Sequence, residues 1–247
     1  ESKETTDPSI KKKKFEKAIA LFEEAGEVNR IAPIKFEMGD WGGCLIAVEG
    51  SPVIFLRFIG YYCRMQLGDL KSDFQNRDEA SGEVVDLLKT GLPPNNPKHW
   101  TSMDLTKRYG ELKVRVNKYL IDCNRFRILY ENVEFFGIPN VYAALPNSEY
   151  NMIIELFEQK QDAFGKMPEP NIINKYVNSL VKFVDEIGDS EEKIRILNNK
   201  SKKSELDKAT KRKILTEIAK IRIAFVEKSE KIEDPDKNVF DGKRKVN

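Results

Sequence analysis

The chain has 247 residues, with 42 Lys and Arg against 40 Asp and Glu and a formal net charge of +2. That length buries a real core without disulfide or metal staples, and the small net charge does not by itself argue for nucleic acid; local clusters decide that point. Three cysteines, Cys44, Cys63 and Cys123, with no CxxC spacing, argue against a disulfide framework or a structural zinc site and read as buried thiols in a reducing compartment.

Apolar residues make up 40% and charged residues 33% of the chain, a polar balance for a globular protein, with most of the surplus charge after Gly188. No apolar run approaches the length of a membrane span. The start, Glu1-Ser2-Lys3-Glu4, has neither an initiator Met nor the features of a signal sequence, as in a trimmed N-terminus. The expected compartment is the cytoplasm, with the nucleus or a virion interior equally compatible, and no membrane partner is expected.

After a polar start, Ser9 can cap a helix over 9–25 that Gly26 stops. Phe15, Ala18, Ile19, Phe22 and Ala25 recur at the spacing of one buried stripe. Lys11 to Lys14 open this helix and Glu23-Glu24 close it, the wrong way round for the helix dipole. Such a helix gains from docking, and a neighbouring subunit is the expected dock. Residues 31–49 read as a β-hairpin: Ile34-Lys35-Phe36-Glu37-Met38 alternates, Gly39-Asp40-Trp41-Gly42-Gly43 turns, and Cys44 to Val48 is apolar. Ser51-Pro52 then resembles a cap with proline at a first helical position. The apolar stretch 53–67, ended by Gly68, is long enough for a buried helix, although its aromatic and β-branched content also suits a strand; helix is the expectation.

A short helix is expected over 81–90, followed by the proline-rich loop 92–97. The strongest signal comes next. Leu105, Tyr109, Leu112, Val116, Tyr119, Cys123, Phe126, Tyr130 and Val133 alternate steps of four and three, which predicts one long amphipathic helix over 104–136, capped through Thr101 and Asp104. At about 1.5 Å per residue it would span roughly 50 Å. Leu120, Ile128 and Leu129 widen its stripe into the core of a bundle. Gly137 and Pro139 stop it, and helices over 148–164 and 171–187 follow. The second carries a clean buried face of Ile173, Tyr176, Val177, Leu180, Val184 and Ile187. Beyond 189 the chain is charged and poor in aromatics. Ser204 and Asp207 cap a last helix to about 232 that carries Leu206, Ile214, Ile218, Ile221 and Phe225, and Lys243-Arg244-Lys245 sits in a loose tail.

The fold class that emerges is mainly α: a helical bundle around one long central helix, with a small β-hairpin near the N-terminus and helical terminal arms. Composition divides it into an arm, 1–30; a core, 31–188; and a charged C-terminal region, 189–247.

The chemistry is sparse. The single histidine, His99, has no second histidine to share a metal and no nucleophile at a recognisable spacing, and there is no GxSxG elbow. Neither GxxxxGK[ST] nor GxGxxG occurs. Glu111-Leu112-Lys113 has the carboxylate–lysine spacing of metal-dependent nucleases, but Leu112 belongs to the buried seam, which makes its neighbours ordinary solvated residues. Asp40 and Glu49 could meet across the hairpin on a divalent ion, although turn and edge roles account for them better. No cofactor, metal or catalytic residue is expected.

Basic clusters carry the remaining signal. Lys200, Lys202, Lys203, Lys208, Lys211, Arg212 and Lys213 fall within fourteen residues, offset by Glu205 and Asp207. A second set, Lys107, Arg108, Lys113, Arg115, Lys118, Arg125 and Arg127, lies on the predicted long helix. Such clusters neutralise phosphates without reading sequence. Of these, Arg115, Lys118, Arg125 and the C-terminal seven are the expected contacts to RNA or DNA. The function expected is that of a non-enzymatic structural or assembly protein, coat- or nucleocapsid-like, a homo-oligomer joined through its helical arms. The rival readings are a helical protein–protein interaction module without nucleic acid, and an enzyme with an unfamiliar site near Asp40, Glu49 and His99.

Overall fold

The computed structural model describes residues 7–27, 30–91, 100, 104–165, 168–203 and 206–232. Among them are fourteen α-helices and no strand, so the mainly α class holds. His99, the proline-rich loop, the Thr101 and Ser204 caps and the basic tail lie outside the described residues. Packing divides the chain into two compact units, Glu1–Phe135 and Phe136–Asn247, whereas composition divides it at 30 and 188.

In the first unit, α1 (Pro8–Glu24) is capped by Asp7, which accepts from the Ser9 amide at 2.8 Å, with Pro8 at the first helical position. Only Phe15 of its stripe is buried. The expected hairpin is instead two short helices, α2 (Ile31–Met38) and α3 (Trp41–Val48). Gly39 ends α2 in the left-handed conformation (φ 75°), while its amide and that of Asp40 return to the Phe36 and Lys35 carbonyls. This is a Schellman closure. Asp40 at once caps α3 through the Gly43 amide at 2.9 Å. A Cβ on Gly43 would lie 2.2 Å from Asp40 Oδ2, so the cap requires glycine there. Gly-Asp is a hairpin signal in one context and a helix–helix junction in another.

The apolar stretch is helical, α4 (Ile54–Leu67), and buries Phe55, Phe58, Ile59, Tyr62, Cys63 and Met65. Its start falls at Val53, with the Ser51 hydroxyl accepting from the Val53 amide. Around α4 pack α3, α5 (Asp69–Asn76), α6 (Asp78–Thr90) and α7 (Leu105–Asp122). Cys44 and Cys63 are buried and Cys123 half-buried, all three as free thiols.

The long central helix is not one helix. α7 stops at Asp122, and α8 (Phe126–Glu131) and α9 (Val133–Phe136) follow as separate pieces. Asn124 takes φ 57°, the one positive φ among described non-glycine residues. Its amide bonds the Ile121 carbonyl at 3.1 Å and the Arg125 amide bonds the Leu120 carbonyl at 2.8 Å. That is a second Schellman closure, with asparagine doing what glycine usually does. Before the break the predicted seam is buried at Leu105, Leu112, Val116 and Tyr119; after it Leu129 is buried while Phe126, Tyr130 and Val133 are half-exposed.

The second unit contains α10 (Ile138–Ala144), α11 (Tyr150–Gln159), a 3-10 turn (Gln161–Phe164), α12 (Pro170–Asp185), α13 (Ser190–Ser201) and α14 (Lys208–Ile232). Pro139, read as a stop, sits in the first turn of α10, where it has no hydrogen bond to lose. The α12 face is buried as expected at Ile173, Tyr176, Val177, Leu180 and Val184. Phe157 stacks on Tyr176 at 4.3 Å between ring centroids and Phe164 stacks on Phe157 at 5.6 Å. The open carbonyls at the end of α10 are closed from outside. Lys175 Nζ donates to the oxygens of Tyr142, Ala143 and Leu145 at 2.5, 3.0 and 2.6 Å.

Asn124→Val places a β-branched residue in the left-handed region and is expected to cost about 1–2 kcal/mol. Asn124→Gly is expected to leave stability within a few tenths of a kcal/mol of the parent. Chemical denaturation of both variants checks the closure; equal destabilisation by Val and Gly would contradict it.

Candidate functional site

In α7, positions 108, 111, 115 and 118 step by three and four and so share one helix face. That face borders an open groove of about 610 Å³ lined by Arg108, Gly110, Glu111, Val114, Arg115 and Lys118 from α7 and by Tyr62, Met65 and Gln66 from α4. Tyr62 forms its floor. The residue is fully buried and lies within an aromatic cluster, 5.5 Å from Phe36 and 6.0 Å from Trp41 between ring centroids.

A buried phenol needs a hydrogen-bond partner. The Tyr62 hydroxyl donates to Glu111 Oε2 at 2.5 Å and accepts from Arg108 Nη1 at 2.7 Å; Arg108 also reaches Glu111 at 3.1 Å and lies over the Tyr62 ring. Burial and then the bond to Glu111 push the Tyr62 phenol up. The Tyr62 bond, followed against burial by Arg108, holds the Glu111 carboxyl below its usual range. Arg108 is therefore committed to the floor. Arg115 and Lys118, by contrast, are exposed, and among the described residues neither makes an ion pair. Val114, 72% exposed and also lining the groove, adds an apolar patch to the rim.

The nuclease-like spacing of Glu111 and Lys113 does not converge, for Lys113 Nζ sits 4.0 Å over the Phe135 ring while Glu111 faces Tyr62. Asp40 caps α3 and Glu49 pairs with Arg64. Among the described residues no group of three potential metal ligands exists, and no helix is long and apolar enough to cross a membrane. Arg125 closes the end of α5: its guanidinium donates to the Phe74 and Gln75 carbonyls at 2.8 and 3.0 Å and pairs with Asp78.

The C-terminal cluster is split in the same way. Glu158 of α11 accepts from Lys200 at 2.6 and 2.8 Å, from Lys203 at 2.6 Å and from the Tyr176 hydroxyl at 2.8 Å. Lys213 bonds Asn174. Lys202, Lys208 and Arg212 are exposed and Lys211 half-exposed, with no ion pair among the described residues. Asp207 caps α14 through the amides of Ala209 and Thr210. Seven cations that looked alike in sequence are thus three bonded internally and four left to solvent. Sequence reasoning missed Tyr62, Met65 and Gln66 as groove residues. Their three- and four-residue spacing was visible, but nothing local showed which face of α4 would meet α7.

No protein-family model matches the chain, and neither a curated protein nor a solved structure matches it.

Burial alone would raise the Glu158 carboxyl, but the bonds from Lys200, Lys203 and Tyr176 outweigh it and hold the carboxyl below the usual range. Its contribution to stability is therefore complete above the unfolded value of about 4.3 and lost as pH falls through the folded value. Glu158→Gln is expected to lower stability near neutral pH by about 2 kcal/mol and to flatten the acid limb of stability against pH. An acid limb unchanged in the variant would show that Glu158 does not carry it.

Proposed function

We propose that the chain is a non-enzymatic assembly protein that self-associates through its helical arms and holds RNA or DNA by the phosphates. The observation that carries the reading is the rim of the α4–α7 groove. Arg115 and Lys118 project there as exposed cations that make no ion pair among the described residues, beside an apolar and aromatic floor that Arg108 and Glu111 tie together. The volume lies within the range of clefts that hold ligands rather than surface wrinkles. Cations free to exchange counterions for phosphates give sequence-independent affinity, and aromatic or apolar neighbours suit bases of any identity. The solvent-facing Lys202, Lys208, Lys211 and Arg212 at the α13–α14 junction supply a second basic surface of the same kind. The uncovered Ile10 and Leu21 on α1 and the uncovered Ile223 and Val226 on α14 support association through the arms.

Fluorescence anisotropy with a labelled oligonucleotide over a salt series tests the phosphate contact. Neutralising Arg115 and Lys118 together to Gln is expected to weaken binding equally across sequences and to reduce the slope of log affinity against log salt by roughly 0.7–0.9 per lost contact. Arg127→Gln, which removes a cation already paired with Glu131 at 2.8 Å, is expected to change the slope little. Absence of binding by the parent chain at low salt, or slopes identical in all three proteins, would remove nucleic acid from the proposal.

A further inference from the structure

Gly110 lies in the interior of α7 and lines the α4–α7 groove. Glycine weakens a helix interior more than any residue except proline, so its presence there calls for a cause. The backbone supplies none, because Gly110 is not among the glycines of positive φ. Packing supplies none either, since a Cβ on Gly110 would meet nothing within 4 Å. What glycine gives at such a position is bare backbone to whatever enters the groove. Val114 lies one turn further along α7 and Lys118 one turn beyond it, each step being about 6 Å at about 1.5 Å per residue. The α7 wall is therefore divided along its length. Gly110 and the exposed Val114 leave one half without charge of their own, and Arg115 and Lys118 make the other half cationic. Glu111, the acid among the lining residues, is tied to Tyr62 and Arg108. From α4 the groove also receives the exposed Gln66, whose amide both donates and accepts.

Resting on the nucleic-acid reading above, we propose that this groove takes an unpaired nucleotide of a single strand, with the base over Gly110 and Val114 and the flanking phosphates on Arg115 and Lys118. The division of the wall favours that occupant. A base is a flat, uncharged group joined through its sugar to an anion, and the groove sets a neutral half directly beside a cationic one. Its volume of about 610 Å³ lies in the range that encloses a molecule of nucleotide size. A duplex keeps its bases paired and stacked and offers such a cleft only its phosphate ridges, which would leave Gly110 and Val114 uncovered. A plain polyanion would use Arg115 and Lys118 alone. The Gln66 amide can turn either its donor or its acceptor toward a base edge, so affinity is expected to vary little among the four bases.

Fluorescence anisotropy of the full chain at low salt, with labelled oligothymidylate, its duplex with oligoadenylate and an abasic strand of the same charge, reads the base contact directly. The single strand is expected to bind at least about tenfold tighter than either of the others. Gly110→Leu fills the neutral half with a side chain that favours the helix. It is expected to raise the melting temperature, which shows that the variant is folded, and to weaken the single strand at least about tenfold. The slope of log affinity against log salt is expected to stay as in the parent, because Arg115 and Lys118 remain. A parent chain that binds neither strand nor duplex would overturn both this proposal and the nucleic-acid reading. Equal affinity for single strand and duplex, or a Gly110→Leu variant that melts as expected and binds like the parent, would overturn the unpaired base and leave the phosphate contact standing. A mononucleotide that displaces the strand at the strand's own concentration would assign the groove to a free nucleotide and overturn the strand.

Discussion

Each unit buries a tyrosine, and the need to satisfy its hydroxyl organises the polar groups around it. In the first unit Tyr62 donates to Glu111, and Arg108 closes the triangle. In the second Tyr176 donates to Glu158, which Lys200 and Lys203 hold from the other side. A phenol taken out of water without a partner would cost more than its ring gains from stacking. A carboxylate brought in to accept from it then needs cations of its own. Both clusters therefore follow from packing aromatic rings at the core. They bind α4 to α7 in one unit and α11, α12 and the end of α13 in the other.

That requirement sorts the basic residues. Arg108, Lys200 and Lys203 serve the buried tyrosine clusters, while Arg125 and Lys175 close helix ends whose carbonyls would otherwise lack donors. Short helices have many ends relative to their length, and the short ones α5 and α10 use long cations as closures. Among the described residues, the members of the two clusters that face solvent include Arg115 and Lys118 on the groove and Lys202, Lys208, Lys211 and Arg212 at the α13–α14 junction. Arg108 and Glu111 tie the floor of the groove together, and Arg115 and Lys118 leave its rim positively charged.

Two junctions explain most of the distance between the pattern read from residues and the fold. At Gly39-Asp40 and at Asn124-Arg125 the chain makes the same Schellman closure. Glycine followed by Asp signals a turn without saying what it joins, and α2, at eight residues, is little more than two turns long, too short to establish a helical period. At Asn124 the heptad steps continue through the break, so periodicity saw one helix where hydrogen bonding makes two pieces. The low helix propensity of Asp122-Cys123-Asn124 was the available signal, and it was outweighed by apolar spacing.

The sequence by itself determined that the chain is helical, that α4 and α12 are buried, and that positive charge gathers at two places, because 3.6-residue periodicity and charge runs are local properties. Only the tertiary structure decided where helices stop and which cations stay free. Those outcomes depend on which carbonyl, phenol or carboxylate a neighbour hundreds of atoms along the chain brings within reach of a side chain, and no spacing in the sequence encodes that distance.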